Sequence, residues 1–320
     1  MSNLKAVLFA LLSFAIFATH DVFIKKLGGS YTPFQLIFFS TLLSFPLVTF
    51  MLMRDPTSGH LRPVHPWWTA VRTIAGVIGG SSAFYAFSTL PLAQVYAILF
   101  ASPLLITILS IPILGETVRL RRWMAVIVGL IGVLVVLRPG AAELSFGHFA
   151  ALVAAISSAF ASIVVRKIGQ EERPIVLILY PMAANFVLMA MILPFVYVPM
   201  PGADLGMVGI ISLFGFVAGL ILIAAYKAGE AAIVAPMQYS QILWASLFGW
   251  FIFGETVDRY TAIGAGIIIA SGLYIVLRES RGSSSANTPV LRTRSRPEMS
   301  TSFRISTFLP RTLRGAKQKP

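Results

Sequence analysis

The chain contains no cysteine. That excludes a disulfide framework and a thiolate metal site, and it leaves the redox compartment undetermined. Charge is scarce as well: 12% of the 320 residues are Asp, Glu, Lys or Arg, and only 12 of them are acidic. Set against 57% hydrophobic residues and a mean hydropathy of +0.83, this is too little charge for a water-soluble globule. The composition is that of an integral membrane protein. Signatures of catalysis are missing too. There is no Gly-Lys-Ser/Thr phosphate loop, no His-Glu-x-x-His pair and no nucleophile elbow, so neither an ATP-driven pump nor a membrane hydrolase is supported. No cofactor and no metal is called for.

The net charge of +13 does not signal nucleic acid, because of where it lies. Residues 279–320 hold nine basic residues against Glu279 and Glu298, so more than half of the excess sits in a terminal stretch rich in Ser, Thr, Pro and Arg. Such a stretch cannot bury a core. It is expected to be a basic disordered cytoplasmic tail that fixes topology or touches anionic headgroups.

What is abundant is repetition. Pro112-Ile113-Leu114-Gly115-Glu116-Thr117-Val118 returns as Phe251-Ile252-Phe253-Gly254-Glu255-Thr256-Val257, and the match extends in both directions. Lys25-Lys26-Leu27-Gly28 overlies Arg166-Lys167-Ile168-Gly169, and Leu137-Arg138 overlies Leu277-Arg278. One unit is therefore written twice, as residues 1–140 and 141–278. Apolar stretches long enough to cross a bilayer are expected at 4–24, 33–53, 67–89, 92–114, 121–138, 147–167, 175–198, 206–226, 231–253 and 260–278. The first, preceded by Lys5, shows no small-residue cleavage site and is read as a retained helix.

This predicts an all-α membrane protein with ten transmembrane helices in two five-helix repeats. Five is odd, so the second unit enters the membrane inverted. Placing both termini in the cytoplasm puts eleven basic residues of the loops and helix ends inside against four outside, namely Lys25, Lys26, Arg138 and Arg259. Inverted repeats enclose a cavity near mid-depth that can open to either side.

Charges inside a span are costly and mark function by default. His20 and Asp21 lie toward the outer third of the first helix, where either Lys25 neutralises Asp21 at i, i+4 or the pair meets substrate or a proton. The ninth span is the most polar at depth, with Gln238, Tyr239, Ser240, Gln241 and Trp244. Amides there either bond neighbouring helices or line a wet cavity. Phe84, Tyr85, Phe100 and Trp244 offer an opposing aromatic wall, with Tyr96 nearer the outer end of the fourth helix. Glu116 and Glu255, each after a Gly at the end of a span, are read as structural, with Gly115 and Gly254 permitting the turn. Arg72 is read as a snorkelling charge rather than a substrate anchor. Lys227 and Glu230 could gate the inner mouth or form an exposed linker pair, and the glycines at 76, 79, 80, 129, 132, 264, 266 and 272 are read as helix-packing residues.

The doubled Leu/Phe-Gly-Glu-Thr-Val motif, the fifth helix ending in Leu-Arg, and Tyr85-Ala86-Phe87 ahead of Leu92-Ala93 resemble the EamA branch of the drug/metabolite transporter superfamily over residues 1–278. The resemblance implies a multi-pass secondary carrier of the bacterial cytoplasmic membrane, with its cavity built from helices 1–4 and 6–9. Members export or import amino acids, nucleobases, metallophores, S-adenosylmethionine or riboflavin. The expected function is alternating-access transport of a small organic metabolite, riboflavin or another heteroaromatic or amino-acid-like solute, driven by protons or by exchange. The expected partners are that solute and the lipid bilayer, not nucleic acid. An uncoupled facilitator, or a membrane-embedded enzyme or receptor, is the alternative.

Overall fold

The computed structural model describes residues 3–53, 61–116, 118, 120–140, 144–169, 171–228 and 231–281. Arg54, Arg119, Glu230 and the tail from Gly282 onward lie outside the described residues. Every element is a helix: α1 (Asn3–Gly28), α2 (Pro33–Met53), α3 (Pro66–Thr89), α4 (Leu92–Leu99), α5 (Ser102–Leu114), α6 (Leu120–Leu137), α7 (Phe146–Ile168), α8 (Pro174–Val196), α9 (Gly202–Ala228), α10 (Ala231–Val234), a 3-10 turn (Ala235–Tyr239), α11 (Ser240–Phe253) and α12 (Arg259–Arg281). Among the described residues, eight helical stretches are long and apolar enough to cross a membrane, α4 and α5 counting as one.

The other two expected spans differ from simple apolar rods for visible reasons. Helix α3 is diluted by Arg72 and by small polar residues. The ninth span is broken, because Pro236 lacks an N–H and crowds the preceding turn, leaving α10, a 3-10 turn and α11. Pro103 does the same in the first copy, and the chain turns at Phe100–Ala101 between α4 and α5. Both C-terminal halves then stop at a glycine in the left-handed region, Gly115 at φ +69° and Gly254 at φ +67°.

Packing pairs the two copies reciprocally. Helix α1 lies along α9, α3 along α7, α2 against α8 and α6 against α12. Close contact is set by small residues: Ala6 and Ala10 of α1 share a buried cluster with Ala218 and Ala225 of α9. A Cβ on Gly132 of α6 would stand 2.9 Å from the Gly264 carbonyl of α12.

Two sets of contacts mark the two ends of the bundle. At one, Lys25 Nζ closing α1 donates to the Leu90 carbonyl after α3 (2.5 Å), and Gln94 opening α4 meets His148 opening α7 (2.9 Å). At the other, His65 before α3 meets Glu171 beyond α7 (2.6 Å), and Lys167 near the end of α7 donates to the Ile113 carbonyl near the end of α5 (2.9 Å). Helix α1 thus finishes where its counterpart α7 begins.

Arg72 does not snorkel. It is 2% exposed, and its guanidinium donates to the Leu177 carbonyl of α8. Pro181 sits four residues after Leu177 and has no N–H to offer that carbonyl, so the arginine takes the place of the missing helical donor.

Candidate functional site

A cavity of about 160 Å³ lies in the middle of the bundle. Its lining comes from α1, α2, α3, α8 and α9. The polar members are His20, Ser40, Thr41, Ser44, Asn185 and Ser212, and the aromatic ones are Phe84 and Phe216. The broken helices α4–α5 and α10–α11 do not line it, which departs from the expectation that the fourth and ninth spans form its walls.

Much of the lining falls on equivalent positions of the two copies. Thr41 and Ser44 of α2 correspond to Met182 and Asn185 of α8, and Gly76 and Gly80 of α3 correspond to Gly215 and Gly219 of α9. The cavity therefore sits where the halves meet. Gly80 and Gly219 have no atom within 4 Å of where a Cβ would stand, so they create volume, whereas Gly79 packs against Ser157. Reading all these glycines as packing residues missed the place of Gly76 and Gly80 in the cavity wall. Their i, i+4 recurrence at matching places was the signal.

His20 breaks the symmetry, since its counterpart is Ala161. Its Nδ1 lies 2.7 Å from Asp21 Oδ1, and the Tyr96 hydroxyl of α4 donates to Asp21 Oδ2. Gln241 of α11 reaches the Tyr96 hydroxyl at 3.4 Å. His20, Asp21, Tyr96 and Gln241 are all buried. With the carboxylate accepting on both oxygens, Nδ1 is the ring nitrogen that donates to Asp21. The Phe84 ring meets the imidazole edge at 6.5 Å between centroids.

Of the nine residues expected to bind substrate, only His20 lines the cavity. Asp21, Tyr96 and Gln241 stand behind it as a hydrogen-bonded backing. Phe100 and Tyr239 pack edge to face at 5.0 Å, and Trp244 stacks on Phe248 at 6.2 Å. Gln238 lies in the 3-10 turn. Tyr85 is 37% exposed and belongs to the outer face of α3. Conversely, Ser40, Thr41, Ser44 and Ser212 line the cavity and were not singled out, because hydroxyls on apolar helices carry no distinctive spacing.

Beyond the cavity, both Gly-Glu motifs reach across to the other copy. Glu255 Oε1 is 2.7 Å from Lys25 Nζ, and Glu255 Oε2 accepts from the Leu92 N–H at 3.1 Å. At the opposite end Glu116 pairs with Arg166. Lys25 and Arg166 are equivalent residues, as are Glu255 and Glu116. The i, i+4 pairing of Asp21 with Lys25 does not form; Lys25 goes to Glu255 instead. The Lys25 end is further held by Tyr31, whose hydroxyl donates to Asp204 at 2.5 Å. That bond and burial together raise the phenol above its usual range. Gln35 grips both backbone groups of Val198, at 2.6 and 2.9 Å. Among the described residues no group of His, Cys, Asp and Glu could hold a metal ion.

The EamA-like transporter family matches twice, over residues 4–138 and 145–277. The chain belongs to that family. Among curated EamA-type relatives, an S-adenosylmethionine uptake transporter of Rickettsia prowazekii is 26% identical, over 88% of this chain and 96% of that protein. A pseudopaline exporter of Pseudomonas aeruginosa is 25% identical over 87% and 98%. A riboflavin transporter of Vibrio cholerae is 28% identical over 68% and 73%. One solved crystal structure superposes with a TM-score of 0.58 at 20% identity, covering 87% of this chain and 98% of its own. It supports the fold alone. The protein is a multi-pass membrane transporter of the EamA type, and the names of its relatives are those of transporters, not enzymes.

Proposed function

We propose that this protein is a secondary carrier that moves a small organic metabolite across the bacterial cytoplasmic membrane by alternating access. In this reading residues 1–140 and 141–278 are two inverted five-helix units, ten passes in all, with α4–α5 and α10–α11 as single broken passes. Both termini face the cytoplasm. The observation that carries the reading is a mid-bundle cavity lined from matching positions of two copies whose equivalent helices run in opposite directions.

The two cross-copy ion pairs close the ends. Lys25–Glu255 seals the outer end, and Arg166–Glu116 the inner one. Opening one while the other holds exposes the cavity to one face at a time. The breaks at Phe100–Ala101 and at the 3-10 turn let α5 and α11, which carry the two glutamates, move apart from the helices before them. His20, backed by Asp21 and Tyr96, is the site where a proton enters the cycle.

Reconstituted vesicles with an imposed proton gradient test this. Uphill accumulation of cargo, abolished by an uncoupler, supports the carrier. Transport that only ever dissipates a cargo gradient would instead make the protein a facilitator.

A further inference from the structure

The polar groups of the cavity wall are unevenly disposed. Ser40 donates its hydroxyl proton to the Ile37 carbonyl (3.1 Å), and Ser44 to the Ser40 carbonyl (2.7 Å). Ser212 shares its proton between the Ser40 and Val208 carbonyls, at 2.8 and 3.1 Å. This is the back-bonding that hydroxyl side chains make in an apolar helix, and it leaves only their lone pairs for a guest. Asn185 donates from Nδ2 to the Pro181 carbonyl at 3.1 Å, and its Oδ1 is buried without any partner. His20 commits Nδ1–H to Asp21, so the ring nitrogen left for a guest is Nε2, an acceptor while the ring is neutral. The wall thus leaves to a guest the Ser40, Ser44 and Ser212 oxygens and His20 Nε2 as acceptors, besides the lone pairs of Thr41, while Asn185 Oδ1 lies unpartnered just beneath the surface. On the donor side it has the Thr41 hydroxyl and one remaining Asn185 N–H. Among the described residues no lysine, arginine, aspartate or glutamate lines the cavity.

We infer that the cargo is an amine- or ammonium-bearing, ring-containing solute, and that it leaves His20 as a proton arrives, making the carrier a proton/amine antiporter. An ammonium group brings only donors, which an acceptor-rich wall requires. A carboxylate brings only acceptors and would find few partners. The wall also carries the Phe84 and Phe216 rings, whose faces attract a cation.

The antiport sign follows from one atom serving two guests. Nε2 accepts the cargo's N–H when bare; once protonated it becomes a donor with a positive charge and repels an ammonium. Asp21 and Tyr96 lie on the far side of the ring, and Phe84 of α3 meets its edge. The lining residues from α2, α8 and α9 carry no ionisable side chain, and Lys25, further along α1, is held by Glu255. His20 is therefore the one ionisable side chain among the described lining residues. This inference rests on the carrier reading and can fail without it.

The test uses the purified full-length protein and matched pairs of probes, tyramine with 4-hydroxyphenylacetate and tryptamine with indole-3-acetate, scored by the shift in Tm. A ligand that binds the folded state alone must raise it. The amine of each pair is expected to stabilise and the carboxylate not. Asn185→Leu should weaken amine binding by about two- to tenfold, the worth of one neutral hydrogen bond. Mild acidification should weaken it in the wild-type protein, and His20→Gln should bind with little pH dependence, which a merely structural histidine would not produce. Equal or stronger stabilisation by the carboxylates, no stabilisation by either amine at millimolar concentration, or an unchanged pH profile in His20→Gln would overturn the inference. The gradient assay decides the carrier reading separately, whichever solute is moved.

Discussion

Lys25 Nζ lies 2.7 Å from Glu255 Oε1, and the two residues belong to different copies of the repeat. Both side chains are mostly buried, at 12% and 19% exposure. The pair therefore falls between a surface ion pair and a fully desolvated one, and its coupling is expected at about 1–3 kcal/mol. Glu255→Gln should impair transport while the protein remains monodisperse. The exchanged pair Lys25→Glu with Glu255→Lys should restore part of the activity. Restoration stays partial because Glu255 also accepts from the Leu92 N–H and Lys25 also donates to the Leu90 carbonyl. Transport rates of the single and double variants measure the coupling directly.

Gly219→Leu should fold and fail to transport. Nothing lies within 4 Å of its Cβ position, and replacing a helical glycine adds roughly 0.5–1 kcal/mol of helix propensity, so Tm should hold or rise while the side chain fills the cavity. Gly132→Leu is the contrast. Its Cβ would meet the Gly264 carbonyl at 2.9 Å, so α6 and α12 must separate and Tm should fall.

Asp21→Asn should separate coupling from movement. The amide can still touch Nδ1 and the Tyr96 hydroxyl but no longer fixes the imidazole proton. Accumulation driven by a proton gradient is expected to be lost, while counterflow exchange of labelled for unlabelled cargo persists. Loss of both in a folded protein would mean that Asp21 holds structure alone.

Gly115→Ala and Gly254→Ala should each cost about 1–2 kcal/mol. No atom stands in the way of either Cβ, but at φ +69° and +67° an L side chain clashes with its own backbone. Denaturation in mild detergent measures this, and the two losses should be similar because the two turns are copies.

Much of the fold was legible in the sequence, because a bilayer dictates helix length and a repeat dictates correspondence. Eight of the expected spans fall within a few residues of single helices, and the fourth and ninth stop as expected at Gly115 and Gly254 but are broken midway. What a repeat cannot tell is which residues meet. Lys25 stands at helical spacing from Asp21, yet it turns to Glu255, since α11 of the other copy brings its end beside α1. Glu116 and Glu255 were read as local caps for the same reason. His20 and Asp21 stood out because charge in a span is rare. The cavity's other polar residues did not, because Ser40, Ser44 and Ser212 satisfy their own helices and resemble any hydroxyl in an apolar run. The polar run from Gln238 to Trp244 looked like a lining, and it is instead the joint of a broken helix packed on Phe100 and Phe248.

The chain's lack of cysteine permits the decisive measurement, since Ser44→Cys would give a single thiol on the cavity wall. Labelling by a membrane-impermeant maleimide is read in right-side-out and inside-out vesicles. With Glu255→Gln added, the thiol should react several-fold faster from the outer face; with Glu116→Gln added, from the inner face. Acceleration from the same face in both variants, or from neither, would contradict a cavity closed by one latch at each end.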